Sequence, residues 1–582
     1  MFTIMTKMPA AHHFIATLPD TATYDVVVLG AGAAGMAAAI FAKLAGCQRV
    51  LLLESTEYVG GTSALSGGTT WVPLTRFLKD TETQDSAETV LGFLDAAVGE
   101  RSPRAMREAF IKHGAEAIHT LVDQTDVKFK ACAFHPDYLA ELPGSTVNGR
   151  ALEPLPYQAG HLGQNLRLLR PPIPEFTVLG GMMVNRADIN QLLSRYQSPQ
   201  AFLYSAKLVL GYWRDKLLHG QAARSVMGHA LIARLLSSLL KLEVDLAVNT
   251  DVEQLATDDQ GVTRLTVKQG AQQRTLVAKG GVILASGGFG RDPDKRHHLF
   301  PANTSPYSPT APGHSGRLHG QVMALGAYYG EAEDQPAFWA PVSIRTRKDG
   351  STAVYPHFVF DRSKPGTVCV AQDGKRFVNE SRSYHEFGKA MLAGGVNTQT
   401  VWIITDAVAI QKYGLGMVRL GGDDVRPYLA DGYLVAGNTL DELAGKLGIP
   451  ADNLKATVTQ MNAAAASGED SLFRRGSTVY ERVNGDPKHP GKNPTLGAIS
   501  TAPFYAVKLY AGDIGTSKGL MGNENAELVR RDGSAITGLY ACGNDLNSMM
   551  GGTYPAPGIT LGPGIVFAYL AARHASGRVK QD

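Results

Sequence analysis

The sequence predicts an α/β protein: a Rossmann-like dinucleotide-binding domain built from both ends of the chain, with an α+β catalytic (cap) domain inserted between them. Three observations predict it. Two short apolar, β-branched runs, Val26–Leu29 and Val50–Leu53, flank a glycine-punctuated, Ala-rich stretch. Two further runs, G-G-V-I-L-A-S-G-G-F-G at 280–290 and G-L-Y-A-C-G-N-D at 538–545, again end in glycines. Between them, residues 305–497 are less repetitive, richer in aromatic and polar side chains, and end in a Pro/Gly/Lys-rich linker at 486–494. The implied division is a loose tail at 1–22, a dinucleotide domain at 23–303 and 498–582, and a cap at 304–497.

The chain is organised around residues 24–54. Val26–Leu29 suits a strand buried on both faces. It breaks into Gly30-x-Gly32-x-x-Gly35 and an Ala-rich helical pattern, and the second run, Val50–Leu53, ends in Glu54. Gly30 permits a tight turn, Gly32 lets backbone approach a pyrophosphate, and Gly35 lets the helix lie close on its strand. The helix N-terminus then offers unpaired N–H groups to the phosphates, and Glu54 falls where a carboxylate holds a ribose hydroxyl pair. Alone, such a glycine pattern is weak. With strand, helix, second strand and acid in register, it marks a dinucleotide site.

Next comes Y-V-G-G-T-S-A-L-S-G-G-T-T-W-V-P at 58–73, whose two Gly-Gly pairs and small hydroxyls suit a loop pressed against a flat ring. Ala64, Leu65, Trp71 and Val72 are not surface composition. Helical patterns fill about 85–125, opening on the capped start Asp85-Ser86-Ala87-Glu88. A turn-rich loop covers 134–144, residues 242–255 read as strand, turn, strand, and a final helix covers 562–574. In 196–219, Phe202, Ala206, Val209, Trp213 and Leu217 recur at helical spacing beside Lys207, Arg214 and Lys216. Packing on the protein's own body is the commoner fate of such a helix; lying on a membrane surface is the alternative.

Composition narrows the class. With 582 residues, 44% hydrophobic and 19% charged, the chain has room for two or three ordinary globular domains. A formal net charge of +3 makes no case for nucleic acid. The four cysteines, Cys47, Cys132, Cys369 and Cys542, lie far apart without ligand spacing, which points to a reducing compartment and to neither metal nor disulfides. Residues 1–22 lack a signal-peptide pattern and no stretch is long and apolar enough to span a bilayer. The expected location is cytoplasmic, with the 196–219 helix a candidate for peripheral contact with the inner face of the membrane.

The opening fingerprint, G-G-T-S, A-S-G-G-F, R-F-V-N-E and G-L-Y-A-C-G-N together resemble the FAD-dependent fumarate reductase and ketosteroid dehydrogenase superfamily over residues 24–575. Three stretches look specifically like 3-ketosteroid Δ1-dehydrogenases: D-Y-L-A-E-L-P-G at 137–144, R-F-V-N-E-S-R-S-Y at 376–384, and T-Y-P-A-P-G-I-T-L-G-P-G at 553–564. The resemblance implies non-covalent FAD and a catalytic set of Tyr138, Tyr384, Tyr554 and Gly558. It implies FAD contacts from Gly30, Ala31, Gly32, Ala34, Gly35, Glu54, Ser55, Gly61, Thr62, Ser63, Ser66, Gly67, Gly68, Val252, Ala285, Ser286, Gly287, Gly543, Asn544, Ile559 and Leu561. The chain departs from the family in two places. H-S-G-R-L-H-G at 314–320 stands where relatives carry T-G-D-G, and G-T-S-K-G-L at 515–520 where they carry G-T-K-G-G.

The implied reaction is 1,2-desaturation of a 3-ketosteroid. The C3 ketone is polarised by the Tyr554 hydroxyl and Gly558 N–H, which one turn stiffened by Pro555 and Pro557 can present together. The C2 proton goes to Tyr384 with help from Tyr138, and the C1 hydride to FAD N5. An external acceptor, a quinone or redox protein, reoxidises the flavin. Phe338, Trp339 and Tyr355 are candidates to line an apolar steroid pocket, core packing being the equal alternative for each. The chain holds 21 tyrosines, and a buried tyrosine satisfied by a backbone carbonyl is the common structural role. Two other activities share this scaffold: a 3-ketosteroid Δ4-(5α)-dehydrogenase and a fumarate-reductase-like ene reductase. The second needs cations to clamp a dicarboxylate, and no Arg or His lies between Asn544 and Gly564. From a different class, a non-catalytic flavoprotein is the remaining alternative.

Overall fold

The computed structural model describes residues 17–579. Most of the expected tail lies outside the described residues, and what is described is not loose. Leu18 is buried, its N–H donates to Gln269, and Thr21 and Ala22 already belong to the first strand.

Strand β1 (Thr21–Leu29) runs into helix α1 (Ala33–Leu44) and then strand β2 (Val50–Leu53), which pairs parallel to β1 from Val26↔Val50 to Leu29↔Leu53. Every residue of Val26–Leu29 and Val50–Leu53 is buried, because helices cover both faces of a parallel sheet. Helices α2 (Ala87–Val98) and α3 (Arg104–Gln124) follow. The Ser86 hydroxyl caps α2 by accepting from the Thr89 N–H at 3.1 Å. Helix α4 (Pro199–His219) precedes the buried α5 (Met227–Lys241). Strand β3 (Asp245–Ala247) adds parallel to β2, and an antiparallel meander of β4 (Thr250–Thr257), β5 (Thr263–Gln269) and β6 (Gln272–Leu284) returns the chain to β1. The resulting order is β3-β2-β1-β6-β5-β4.

The inserted segment opens with the short α6 (His319–Ala324) and builds a second, antiparallel sheet. Its elements are β7 (Ala337–Thr346), β8 (Thr352–Pro356), β9 (Thr367–Val370), α7 (Tyr384–Ala393), β10 (Val401–Thr405), β11 (Leu434–Gly437) and β12 (Phe504–Thr516). The order is β8-β7-β12-β10-β9, with β11 also on β12. This corrects the expected return to the dinucleotide domain at residue 498. β12 pairs with β7, β10 and β11, so the cap sheet extends through Thr516. A buried apolar strand reads alike in either sheet; only its pairing assigns it. The chain then rejoins the first sheet through β13 (Glu527–Val529) and β14 (Ala535–Ala541), the latter parallel to β6 from Val282↔Leu539 to Leu284↔Ala541. It closes with α8 (Leu561–Val579). Thus β1, β6 and β14 all end in glycine turns on one edge of the sheet, where open α/β sheets bind ligands.

Candidate functional site

The glycine turns make a cradle. Gly30 has φ +108°, and a Cβ there would sit 2.3 Å from the Ala285 carbonyl oxygen; one on Gly35 would sit 1.8 Å from the Gly30 oxygen. Only glycine lets the three segments meet. Gly32, the N-cap of α1, faces open ground instead, its nearest neighbour being Ser63 Oγ at 3.9 Å. The first-turn N–H groups of α1 lack intrahelical partners; that of Ala33 donates to Ser63 Oγ at 3.3 Å, while Ala34 and Gly35 complete the positive end. Glu54 is buried. One carboxylate oxygen accepts from the Ala31 N–H at 2.9 Å, the other from the Thr56 N–H and hydroxyl at 2.9 and 2.7 Å. The acid therefore braces the fingerprint turn and keeps lone pairs for a ribose diol.

The rest of the expected cofactor set gathers around this edge. Ser55 is exposed beside Gly313. Gly61 is 3.6 Å, by its added Cβ, from Gly32 Cα, and Thr62 Oγ1 accepts the Ala311 N–H at 2.9 Å. The Ser66 hydroxyl donates to Ser63 O and accepts from the Gly68 N–H; Gly67 is exposed between them. Val252 follows Asn249 and Thr250, whose N–H groups donate to Thr56 O and Glu54 O. The Ser286 and Gly288 N–H groups on either side of Gly287 donate to the buried Asp545, which also meets His319 at 2.9 Å. Gly543, Asn544 and Ile559, with Phe338, Thr516, Thr560, Pro563 and Gly564, line a small cavity of about 20 Å³ at the N-terminus of α8, whose first residue is Leu561. Two buried polar atoms of this cradle have no protein partner: Thr516 Oγ1 and His314 Nδ1. Sequence reasoning did not assign either one. The signal was the two departures from the family pattern, which contain them. An open helix N-terminus, an acid with spare lone pairs and orphaned polar atoms are what a bound FAD would satisfy.

A cluster of tyrosines lies beside the cradle. Tyr138 sits on the 134–144 loop, whose N–H groups at Tyr138 and Leu139 both donate to Pro555 O, tying it to the turn that carries Tyr554. Its neighbour Asp137 is buried and accepts from Trp71 Nε1, the Thr146 N–H and Arg150, which also pairs with Asp85. Tyr384 is the first residue of α7, capped by Ser383. The preceding R-F-V-N-E run is structural: Arg376 pairs with Glu380 and Asp470 at 2.7 and 2.8 Å, all nearly fully buried.

These supports bring the three tyrosines together. The hydroxyls of Tyr138 and Tyr384 are 3.4 Å apart, and the Tyr554 ring stacks on Tyr138 at 5.7 Å and meets Tyr384 edge-on at 5.1 Å. Gly558 has φ +86° and a half-buried position, and a Cβ on it would collide with Thr69 O at 2.4 Å. Its carbonyl accepts from Trp71 and Gly562, while its N–H has no protein acceptor among the described residues. Burial pushes the phenols of Tyr138 and Tyr384 well above the ordinary range near 10. It raises Tyr554 too, opposed there by hydrogen bonds with the hydroxyls of Tyr384 and Thr560.

Of the three pocket candidates, Phe338 alone reaches the cluster, edge-on to Tyr554 at 5.2 Å. Trp339 points to the other face of β7, packs on Phe300 and donates to Gln335, as strand alternation requires. Tyr355 packs on Phe176 and His357. Those two are corrected to core packing. The cluster has a fourth tyrosine that sequence reasoning missed: Tyr480, 4.8 Å ring to ring from Tyr138, with a buried hydroxyl lacking a partner. One tyrosine among 21 carries no local signal of this placement.

In α4 the expected stripe divides: Phe202, Trp213 and Leu217 face outward, Ala206 and Val209 do not. The side chains buried are Ala201, Ser205, Leu208, Tyr212 and Asp215, while Phe202, Leu210, Trp213 and Leu217 are exposed, Leu217 by 86%. Ala206 is half-buried and Val209 packs with Leu208 and Tyr212 against Met182 and Val184, so α4 docks on the protein's own body by one face and leaves the other exposed. No helix among the described residues is long and apolar enough to cross a membrane.

Comparison with known proteins places the chain among such enzymes. The family described as FAD binding domain matches residues 25–561. A 4-oxocyclohex-2-ene-1-carboxylate 5-dehydrogenase of Sinomonas cyclohexanicum is 35% identical, covering 95% of this chain and 94% of that one. A 3-oxosteroid 1-dehydrogenase of Mycolicibacterium smegmatis is 34% identical over 94% and 96%. The crystal structure of the 3-ketosteroid Δ1-dehydrogenase of Sterolibacterium denitrificans with 1,4-androstadiene-3,17-dione superposes with a TM-score of 0.88 at 31% identity, covering 95% of this chain and 99% of that one.

Proposed function

Because the chain belongs to the FAD binding domain family, we propose that its glycine cradle and tyrosine cluster form one active site for the 1,2-desaturation of a 3-ketosteroid. The observation that carries the reading is the meeting of Tyr138, Tyr384 and Tyr554 beside a Gly558 N–H left without an acceptor. The Tyr554 hydroxyl and that N–H hold the ketone oxygen and stabilise the charge it gains as the neighbouring carbon is deprotonated. Burial keeps the Tyr554 phenol protonated, so it stays a donor at neutral pH. The Tyr384 oxygen takes the C2 proton, and Tyr138, 3.4 Å away, shares or relays it. When bound, FAD supplies the acceptor for the hydride that leaves C1. Phe338 and Tyr480 wall the cluster and exclude water.

Relatives of similar identity are named for a steroid and for a monocyclic keto acid. The cations near the cluster favour the uncharged substrate. Arg362 is fully buried and donates to the carbonyls of His357, Phe358, Glu380 and Arg382, while Arg382 pairs with Glu141. Neither of these two arginines is left to receive a substrate carboxylate. The holoenzyme should be given a Δ4-3-ketosteroid, a 5α-3-ketosteroid and 4-oxocyclohexanecarboxylate with a dye acceptor, and the products analysed by NMR. A new C1–C2 double bond in the steroids is expected. Turnover of the keto acid alone, or a new C4–C5 bond alone, would replace the assignment. In the cell, a quinone or redox protein takes the dye's place.

The outward face of α4 supports a second reading, peripheral binding to an anionic membrane surface, where sterols partition. Exposed Phe202, Leu210, Trp213 and Leu217 alternate with exposed Lys207, Arg214 and Lys216, and the helix's one acid, Asp215, is buried. The enzyme should sediment with vesicles containing phosphatidylserine and much less with phosphatidylcholine alone. Trp213→Ser with Leu217→Asp should cut that binding by about tenfold or more, since each apolar side chain contributes roughly 1.5–3 kcal/mol. Equal recovery of wild type and variant in the supernatant would refute it.

A further inference from the structure

We propose that His385 is a positioning residue for Tyr554: its Nε2–H donates to the Gly552 carbonyl in the substrate complex and so fixes the turn that carries the phenol. The inference rests on the reading that the Tyr554 hydroxyl receives the ketone. Tyr384 and His385 are the first two residues of α7, and the Tyr554 ring meets both. It lies 5.1 Å from the Tyr384 ring and 6.0 Å from the imidazole, whose plane is tilted by 37°. Phe338, which also meets Tyr554, lies 6.3 Å from the imidazole. The glycine turn before Tyr554 is docked on the segment leading into β7. There the Asp334 N–H donates to Gly551 O at 2.8 Å, and a Cβ on Gly552 would fall 2.4 Å from Gln335 N and O. Helix α7 is held to the same segment. Lys389 pairs with Asp334 at 2.8 Å, and a Cβ on Gly388 would fall 2.4 Å from Trp339 Cβ.

The backbone fixes the tautomer. A peptide N–H can only donate, so Nδ1, 3.1 Å from the Trp339 nitrogen, is the acceptor. Burial lowers the ring's pKa to about 3, so near neutral pH the ring carries one proton, on Nε2. That N–H is buried and has no bonded partner. The Gly552 carbonyl lies near enough to favour the charged ring, against the larger effect of burial. With Nδ1 taken by Trp339, Nε2 is the nitrogen that this carbonyl faces. A small closing movement of the turn completes the bond, since catalytic hydrogen bonds tighten when substrate binds. It also satisfies a donor that is costly to bury unpaired. The same imidazole then ties β7, α7 and the Tyr554 turn together, and sets the phenol against Tyr384.

The two ring nitrogens allow a test that separates positioning from packing. His385→Asn keeps an acceptor near Nδ1 and loses the Nε2 donor, whereas His385→Gln places an amide N–H near Nε2 and loses the acceptor. In the holoenzyme, the asparagine variant should lower kcat on a Δ4-3-ketosteroid by about 10- to 100-fold with KM changed by less than about threefold. The glutamine variant should recover most of that loss. Added to Tyr554→Phe, the asparagine change should lower kcat by less than about threefold more, because the phenol it positions is gone. A larger loss in the glutamine variant than in the asparagine variant, or an equal loss with and without Tyr554→Phe, would overturn the proposal. An unchanged kcat in Tyr554→Phe alone would instead remove the ketone reading, and the proposal with it. Should the histidine variants fail to fold, a crystal structure of the wild-type holoenzyme with bound steroid decides. Nε2 within about 3.2 Å of Gly552 O supports the contact; Nε2 bonded to the steroid or the flavin, or to nothing, overturns it.

Discussion

Tyr554→Phe is expected to lower kcat on a 3-ketosteroid by about 10²–10³-fold while the protein stays yellow. On the proposed reading, the substitution removes one of two donors to the ketone oxygen and leaves the Gly558 N–H as the other. It leaves the ring's packing intact, since the stack on Tyr138 and the edge contact with Phe338 use carbon atoms alone. The hydroxyl's nearest partners are the hydroxyls of Tyr384 and Thr560, which can turn to one another or to water. Folding stability should therefore change by no more than about 1 kcal/mol. Steady-state kinetics with a dye acceptor, together with flavin content and thermal melting, separates the outcomes. A loss in kcat below about fivefold would show that the phenol does not face the reacting ketone. A colourless protein would show that Tyr554 is a structural residue of the cofactor cradle.

Between pH 7 and pH 5 the apoprotein should lose about 6 kcal/mol of folding stability, before most carboxylates titrate. His229, His314 and His385 are buried, and burial lowers their pKa values to about 4, about 4 and about 3. His385 shows why the folded state cannot relieve this: its Nδ1 accepts the Trp339 N–H at 3.1 Å, a bond that an added proton would break. The sign follows from proton binding. Below the unfolded value near 6.5 the unfolded chain takes up a proton at each site and the folded chain does not, so stability falls as pH falls. Each histidine contributes a slope of about 1.4 kcal/mol per pH unit, or about 2 kcal/mol by pH 5. Such a loss is comparable to the whole stability of many proteins. Denaturant unfolding of the apoprotein across this range measures it. His229→Gln should flatten the slope by about a third, and a stability that stays level from pH 7 to pH 5 would refute the account.

Several elements were legible because they answer to local rules. The fingerprint turn needs glycine where Cβ atoms would strike Ala285 O and Gly30 O. The Ser86 cap pairs a hydroxyl with an N–H three residues on, and Val26–Leu29 and Val50–Leu53 are apolar on both faces because helices cover both. The fate of β12 was not legible, since an apolar strand does not record which sheet receives it. Nor could spacing tell which of Phe338 and Trp339 meets Tyr554, because they occupy opposite faces of one strand and either face of the cap sheet accepts an aromatic ring.

By itself, the sequence determined the dinucleotide fingerprint and the α/β class with an inserted cap, and it put Tyr138, Tyr384 and Tyr554 forward only through their resemblance to a family's motifs. The tertiary structure alone decided that Tyr480 joins those tyrosines, that α4 leaves Phe202, Trp213 and Leu217 exposed, and that the His314 ring lies against the cradle glycines. The physical reason is the range of the interactions. Turns, caps and strand burial are set by neighbours a few residues away, whereas Tyr138 and Tyr480, or Gly61 and His314, meet only after hundreds of intervening residues have packed.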